Sequence, residues 1–311
     1  MLGAAPRSIK KSRLERRRDV TIIAGFPVTG FVVLGADGEE GGDYEKAAVR
    51  KIATLKGPDY SCVVGGAGDG DFIDLAIQDA GEALKAIPRG AVTSDAVRLA
   101  LEEVVTDIYA HRLDSYPLEQ QGDLQFQLLC AVWTKESGKA QLVKIGRSFS
   151  LIRTNPEALG KGSYLARYVI ETLALRETEM LGRHAERLCA YVLATVKAHV
   201  KDCGGTSLIL VLNDAGEVRE VPQYVITEDE KSSGIVMDRV RGLFHWTDII
   251  GWRGKQEHLE KVIDDIAGMI KLEFRVHLAK HRAVEVAEDQ VRKSTLKPPT
   301  DDPKDQPPSP G

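Results

Sequence analysis

The feature that most constrains this chain is the grouping of its extended and helical segments. Extended runs come in neighbours joined by tight turns, helical runs come in twos, and the two kinds alternate in blocks. Residues 20–26 and 30–35 are β-branched or apolar, with a turn expected at Pro27-Val28-Thr29. Residues 51–55 and 60–64 flank Gly57-Pro58 as a second hairpin. The stretch Gly65-Gly66-Ala67-Gly68-Asp69-Gly70 reads as a glycine-rich turn. A helix over 71–87 follows, with Phe72, Leu75, Ala76, Ala80, Ala83 and Leu84 at helical spacing and Pro88 as its stop. Thr93 or Ser94 caps a second helix that turns Val97, Leu101, Val104, Val105 and Ile108 inward. Three strands are expected over 124–134, 140–145 and 148–153. Helices over 162–175 and 181–200 come next, and a last hairpin joins 207–212 to 217–221.

Strands joined by hairpins run antiparallel. Two antiparallel sheets with helices segregated in pairs give an α+β architecture. Its economical packing is a four-layer α-β-β-α sandwich, each helix pair covering the outer face of one sheet.

The ends lie outside this pattern. Residues 1–19 hold seven basic and two acidic side chains and lack apolar periodicity. They read as a disordered basic head or a mis-assigned start. That head carries +5, so the rest of the chain carries −9 of the total −4. A net acidic body argues against nucleic acid as the main partner. The expected divisions are 1–19, a domain over 20–221, a helical and aromatic extension over 222–290, and a disordered proline-rich tail over 291–311. In the extension, Phe244, Trp246 and Trp252 form an apolar patch, and 258–274 has helical spacing.

Apolar runs such as 208–212 are too short to span a bilayer, and a secretory signal pattern is missing. The expected location is the cytoplasm. Cys62, Cys130, Cys189 and Cys203 lack CxxC spacing, so neither a metal site nor another cofactor is expected. His111, His184 and His199 fall on the expected helices and read as surface residues.

The chemistry concentrates in TIIAGFPVTGFVVLGADGEE, where Thr21 opens the first strand and Asp37 falls sixteen residues later. The segment EKAAVRKI then brings Lys51 to the next strand. With the glycine run into the first helix, this order resembles a proteasome β-type subunit, an N-terminal-nucleophile hydrolase. The resemblance weakens toward residue 221 and implies a threonine peptidase. It assigns Thr21 as nucleophile, Asp37 and Lys51 as its catalytic companions, Gly66 and Gly68 as oxyanion candidates, and Asp202 and Ser163 as support. It also implies a polypeptide substrate and a homo-oligomeric ring. An ATPase partner is not specified.

These residue types suit that chemistry. A threonine hydroxyl is a weak nucleophile until a base takes its proton. A free α-amino group, with a pKa of about 7.7–8.0, can be that base near neutral pH. A lysine cation nearby disfavours protonation of the amine, and an aspartate can hold the lysine. Backbone N–H groups stabilise the oxyanion.

Three positions depart from the family pattern. Thr21 is preceded by other residues, so its amine must be exposed, by cleavage after Val20 or by a start at codon 20. The family's Gly-Ser-Gly appears as Gly160-Lys161-Gly162, with Ser163 next. Asp202 is followed by Cys203-Gly204-Gly205 where a serine belongs, leaving Thr206 or Ser207 to replace it. Two other readings therefore stand beside the peptidase: an inactive proteasome-like scaffold, and an amidase of the same class acting on a small amide.

Overall fold

The computed structural model describes residues 22–41, 46–48, 51–122, 124–172, 182–201, 203–232 and 234. The chain divides into two units, Met1–Gly234 and Ile235–Gly311, and every described residue belongs to the first. The expected aromatic patch and the helix over 258–274 lie outside the described residues.

Two five-stranded sheets make up the body. The first contains β1 (Ile23–Val28), β2 (Phe31–Ala36), β10 (Glu157–Leu159), β11 (Leu208–Asn213) and β12 (Val218–Glu220), in the order β10-β1-β2-β11-β12. The second contains β5 (Ile52–Lys56), β6 (Tyr60–Gly68), β7 (Phe126–Thr134), β8 (Ala140–Gly146) and β9 (Phe149–Arg153), in sequence order. Every pairing in both is antiparallel. Two short strands, β3 (Glu39–Gly41) and β4 (Lys46–Ala48), pair with each other.

Three apolar layers hold the sheets. Ile23, Val32, Leu34, Val63, Leu129, Leu142 and Leu210 meet between them. Helices α1 (Gly70–Ala86) and α2 (Ser94–His111) cover the second sheet, with Ala76, Leu84, Val97, Leu101 and Val105 packed on Cys62, Val64 and Leu128. Helices α4 (Ser163–Thr172) and α5 (Gly182–His199) cover the first, with Ala166, Ala185, Leu193 and Val196 packed on Ile22, Ala24 and Val33. This is the expected α-β-β-α sandwich. Alternation along each strand explains it: successive side chains point to opposite faces, so each buried strand feeds two layers at once. A short helix, α3 (Leu118–Gln121), follows α2. A further helix, α6, spans 223–232 and adds Val225 and Ile226 to the layer under α5.

Local expectations needed correction at two turns. The first hairpin turns at Thr29-Gly30, and Pro27 and Val28 remain in β1. The closing pair Val28↔Phe31 of such a two-residue hairpin is hydrogen-bonded, so the next pair, Pro27↔Val32, is not. A proline there loses no ladder bond. The glycine run is also not a turn: β6 continues through it, pairing with β7 as far as Gly68↔Phe126. Asp69 alone connects to α1, accepting the Phe72 N–H at 3.1 Å as its N-cap.

Candidate functional site

The site is built where the two sheets begin. Ile22 enters β1, and Asp37 leaves β2 directly opposite, because the register pairs Ile23 with Ala36. The Asp37 N–H donates to the Ile22 carbonyl at 3.2 Å. In return the Ile22 N–H donates to Asp37 Oδ1 at 3.1 Å. Lys51 stands just before β5 in the other sheet and reaches across: its Nζ lies 3.0 Å from the same Oδ1. The Gly204 N–H donates to Oδ2 at 3.1 Å.

This carboxylate is therefore a hub. It joins the start of β1, the start of β5 and the loop before β11. Its side chain is fully covered and that of Lys51 is 8% exposed, so the pair is insulated from solvent. Burial pushes the Asp37 carboxyl above the ordinary aspartate range; the Lys51 cation and the Ile22 and Gly204 amides pull the other way.

The remaining candidates differ in what surrounds them. Gly65 pairs with Ile52, the neighbour of Lys51, and a Cβ there would lie 2.9 Å from Ile23 Cδ1. Gly66 is the next residue along β6; a Cβ on it would meet the Ile73 side chain of α1 at 2.4 Å. Gly68 lies at the end of β6 with φ +122°, where a Cβ would run into the Gln125 carbonyl. All three glycines thus have packing reasons to be glycine.

Ser163 opens α4 and is half-buried. Its neighbour Gly162 sets its place: a Cβ at Gly162 would lie 2.3 Å from Val196, and 3.4 Å from both Ile22 and Cys203. The turn at 160–163 is thereby pressed onto the start of β1. Lys161 is exposed. At the other departure, Gly205 adopts φ +68°, and Ser207 is buried with its hydroxyl donating to Glu230 at 2.6 Å. That hydroxyl is committed away from Asp37. Thr21 and Asp202 lie outside the described residues. His111, His184 and His199 are exposed.

Reading the sequence missed Gly162, Gly204 and the amide of Ile22. The doublet Gly204-Gly205 and the spaced pair Gly160 and Gly162 were the available signals. Among the described residues, no group of three His, Cys, Asp or Glu could hold a metal ion. Among those residues too, no helix is long and apolar enough to cross a membrane.

No protein-family model matches the sequence, and a search of curated proteins finds no significant match. Solved structures do match. A Gly-1 mutant of Anbu from Hyphomicrobium sp. strain MC1 is 15% identical with a TM-score of 0.60, the match covering 72% of this chain and 96% of that one. Anbu, an ancestral beta-subunit, from Yersinia bercovieri is 12% identical with a TM-score of 0.57, covering 71% and 97%. Anbu from Pseudomonas aeruginosa, solved as a helical assembly, is 18% identical with a TM-score of 0.54, covering 71% and 95%. Likeness at these identities shows the fold alone: the sandwich of two antiparallel sheets between helix layers is shared with these Anbu structures.

Proposed function

We propose that this chain is a threonine-type peptidase or amidase with Thr21 as nucleophile. The observation that carries the reading is the insulated Lys51–Asp37 pair bonded to the amide of Ile22, the residue after Thr21. A nucleophile that begins at residue 21 is joined by one peptide bond to Ile22, whose N–H shares Asp37 Oδ1 with the Lys51 cation. Its free α-amine takes the hydroxyl proton as the oxygen attacks an amide carbon. Lys51 keeps that amine neutral by charge repulsion. The amine then passes the proton to the leaving nitrogen, and water hydrolyses the acyl ester to restore the hydroxyl.

Gly66 suits the oxyanion role better than Gly68. It sits beside Gly65, which faces Ile52, whereas Gly68 is two residues further, about 7 Å along the strand. The reading requires residues 1–20 to be absent from the working chain. The substrate is a polypeptide, the site belongs to the domain over 20–221, and the chain self-associates in a ring, as homo-oligomers with rotational closure do.

One observation favours the inactive scaffold: Gly205 has no hydroxyl and that of Ser207 is engaged with Glu230. Intact-mass measurement separates the two. A chain beginning at Thr21 accords with catalysis, and one retaining residues 1–20 accords with the scaffold. If Thr21→Ala leaves amide hydrolysis intact, the nucleophile has been misassigned.

A further inference from the structure

The loop 203–207 delivers the Gly204 amide to Asp37, and it is held from two sides. On one side it is fastened to the corner after β2. The Gly38 N–H donates to the Gly204 carbonyl at 3.2 Å, and the Gly38 backbone fits so closely that a Cβ would lie 2.2 Å from the Thr206 carbonyl oxygen. On the other side the loop is fastened to α6. Glu230 Oε1 accepts from Ser207 Oγ at 2.6 Å and from Lys197 Nζ at 2.7 Å. Lys197, on α5, also donates to the Gly205 carbonyl at 3.2 Å. The Lys197 and Glu230 side chains are 14% and 20% exposed.

One carboxylate oxygen thus gathers both groups that hold the far side of the loop. Removing it leaves the Ser207 hydroxyl buried without its acceptor and Lys197 without its counter-charge. Both losses fall on the segment that must present the Gly204 N–H to Asp37 Oδ2. The nearer side is a backbone fit and offers no side chain to adjust. α6 is anchored by its own apolar contacts, Val225 and Ile226, so Glu230 is a fixed post.

We infer that Glu230 is a positioning residue for the Asp37–Lys51 site, acting through Lys197 and Ser207 on the loop 203–207. The inference rests on the reading of that site as the reaction centre. Glu230 touches neither Asp37 nor Lys51, and its effect reaches them only through the Gly204 amide.

The test uses the full purified chain in wild-type form and as Glu230→Ala, with Glu230→Gln and Lys197→Met as milder changes and exposed Glu82→Ala as control. Hydrogen exchange is followed by mass spectrometry on peptides spanning 202–208 and, for comparison, β7. Exchange over 202–208 should quicken about tenfold or more in Glu230→Ala, the equivalent of one lost buried hydrogen bond, with β7 unchanged. The milder variants should fall between, and they decide the matter if Glu230→Ala does not fold. Unchanged exchange over 202–208 in the folded variants overturns the inference. A second arm follows the rate of epoxyketone labelling of chains that begin at Thr21. The rate at saturating probe should fall, with the half-saturating concentration little changed and Glu230→Gln partly restored. If wild-type chain beginning at Thr21 does not label, the peptidase reading fails while the exchange arm still decides the role of Glu230. If exchange quickens while labelling is unaffected, the loop is held by Glu230 but the site does not depend on it, and the inference is overturned.

Discussion

Lys51 and Asp37 flank strands of different sheets, yet Lys51 Nζ lies 3.0 Å from Asp37 Oδ1 inside a closed seam. The same oxygen accepts the Ile22 amide, so one ion pair fixes the start of β1 against the start of β5. An ion pair this well covered gains little from being charged, since desolvation offsets much of the attraction. Its value as a stabiliser is small and its cost when halved is large.

Lys51→Met should therefore remove amide hydrolysis and also destabilise the fold. Leaving a buried carboxylate without its cation costs about 3–5 kcal/mol. Denaturant titration of the variant against wild type checks the size, and a change within about 0.5 kcal/mol would show that the pair is not insulated.

Asp37 has a folded-state pKa raised by burial. The folded protein thus binds this proton more tightly than the unfolded chain, whose aspartates titrate near about 3.9. The group's favourable contribution is complete below that value and is lost as pH rises through the raised folded value. The stability of wild type minus that of Asp37→Asn should fall with rising pH across this window and level off above it. A difference that grows with pH would mean that the Lys51 cation, rather than burial, sets the titration.

Gly38→Ala should loosen the site from the other side of the loop. The added methyl meets a backbone carbonyl at 2.2 Å, which cannot rotate away as a side chain would. Overpacking of this kind costs about 1–3 kcal/mol. Thermal melting checks it, with Gly81→Ala on α1 as the tolerated control, where the nearest atom is 3.6 Å away.

All four thiols should be silent in the native protein. Cys62, Cys130, Cys189 and Cys203 are buried. The neighbouring Cys62 and burial push the Cys130 thiol well up; burial, with Glu186 and Glu230, pushes up that of Cys189. Thiolate is the reactive form, so neither lowered access nor raised pKa allows attack. Titration with a coloured disulfide reagent should count no thiols before unfolding and four after it.

The hairpins and helix pairs were legible because continuous apolar runs mark β1 and β2, and helical spacing marks α1 and α2. Asp37 and Lys51, singled out by the resemblance of one short segment, lie 3.0 Å apart. The glycine run was misread because glycine is sparse in strands. Its presence in β6 answers contacts that the sequence does not display: Ile23 presses on Gly65 from the other sheet, and Ile73 presses on Gly66 from α1. β10 is three residues long and pairs only with Ile23, Ala24 and Gly25, too short for any period to appear. Gly204 serves Asp37 across 167 residues, and Glu230 serves Ser207 from a helix beyond the last hairpin. Roles created by distant contacts leave no local mark.

The central claim is that residue 21, once it is the first residue, is the nucleophile of this site. The most direct measurement is peptide mapping by mass spectrometry after a chain beginning at Thr21 is treated with a threonine-directed epoxyketone. The account predicts one adduct per chain, on Thr21, lost in Lys51→Met. A chain that begins at Thr21, is folded, and carries no adduct there contradicts it.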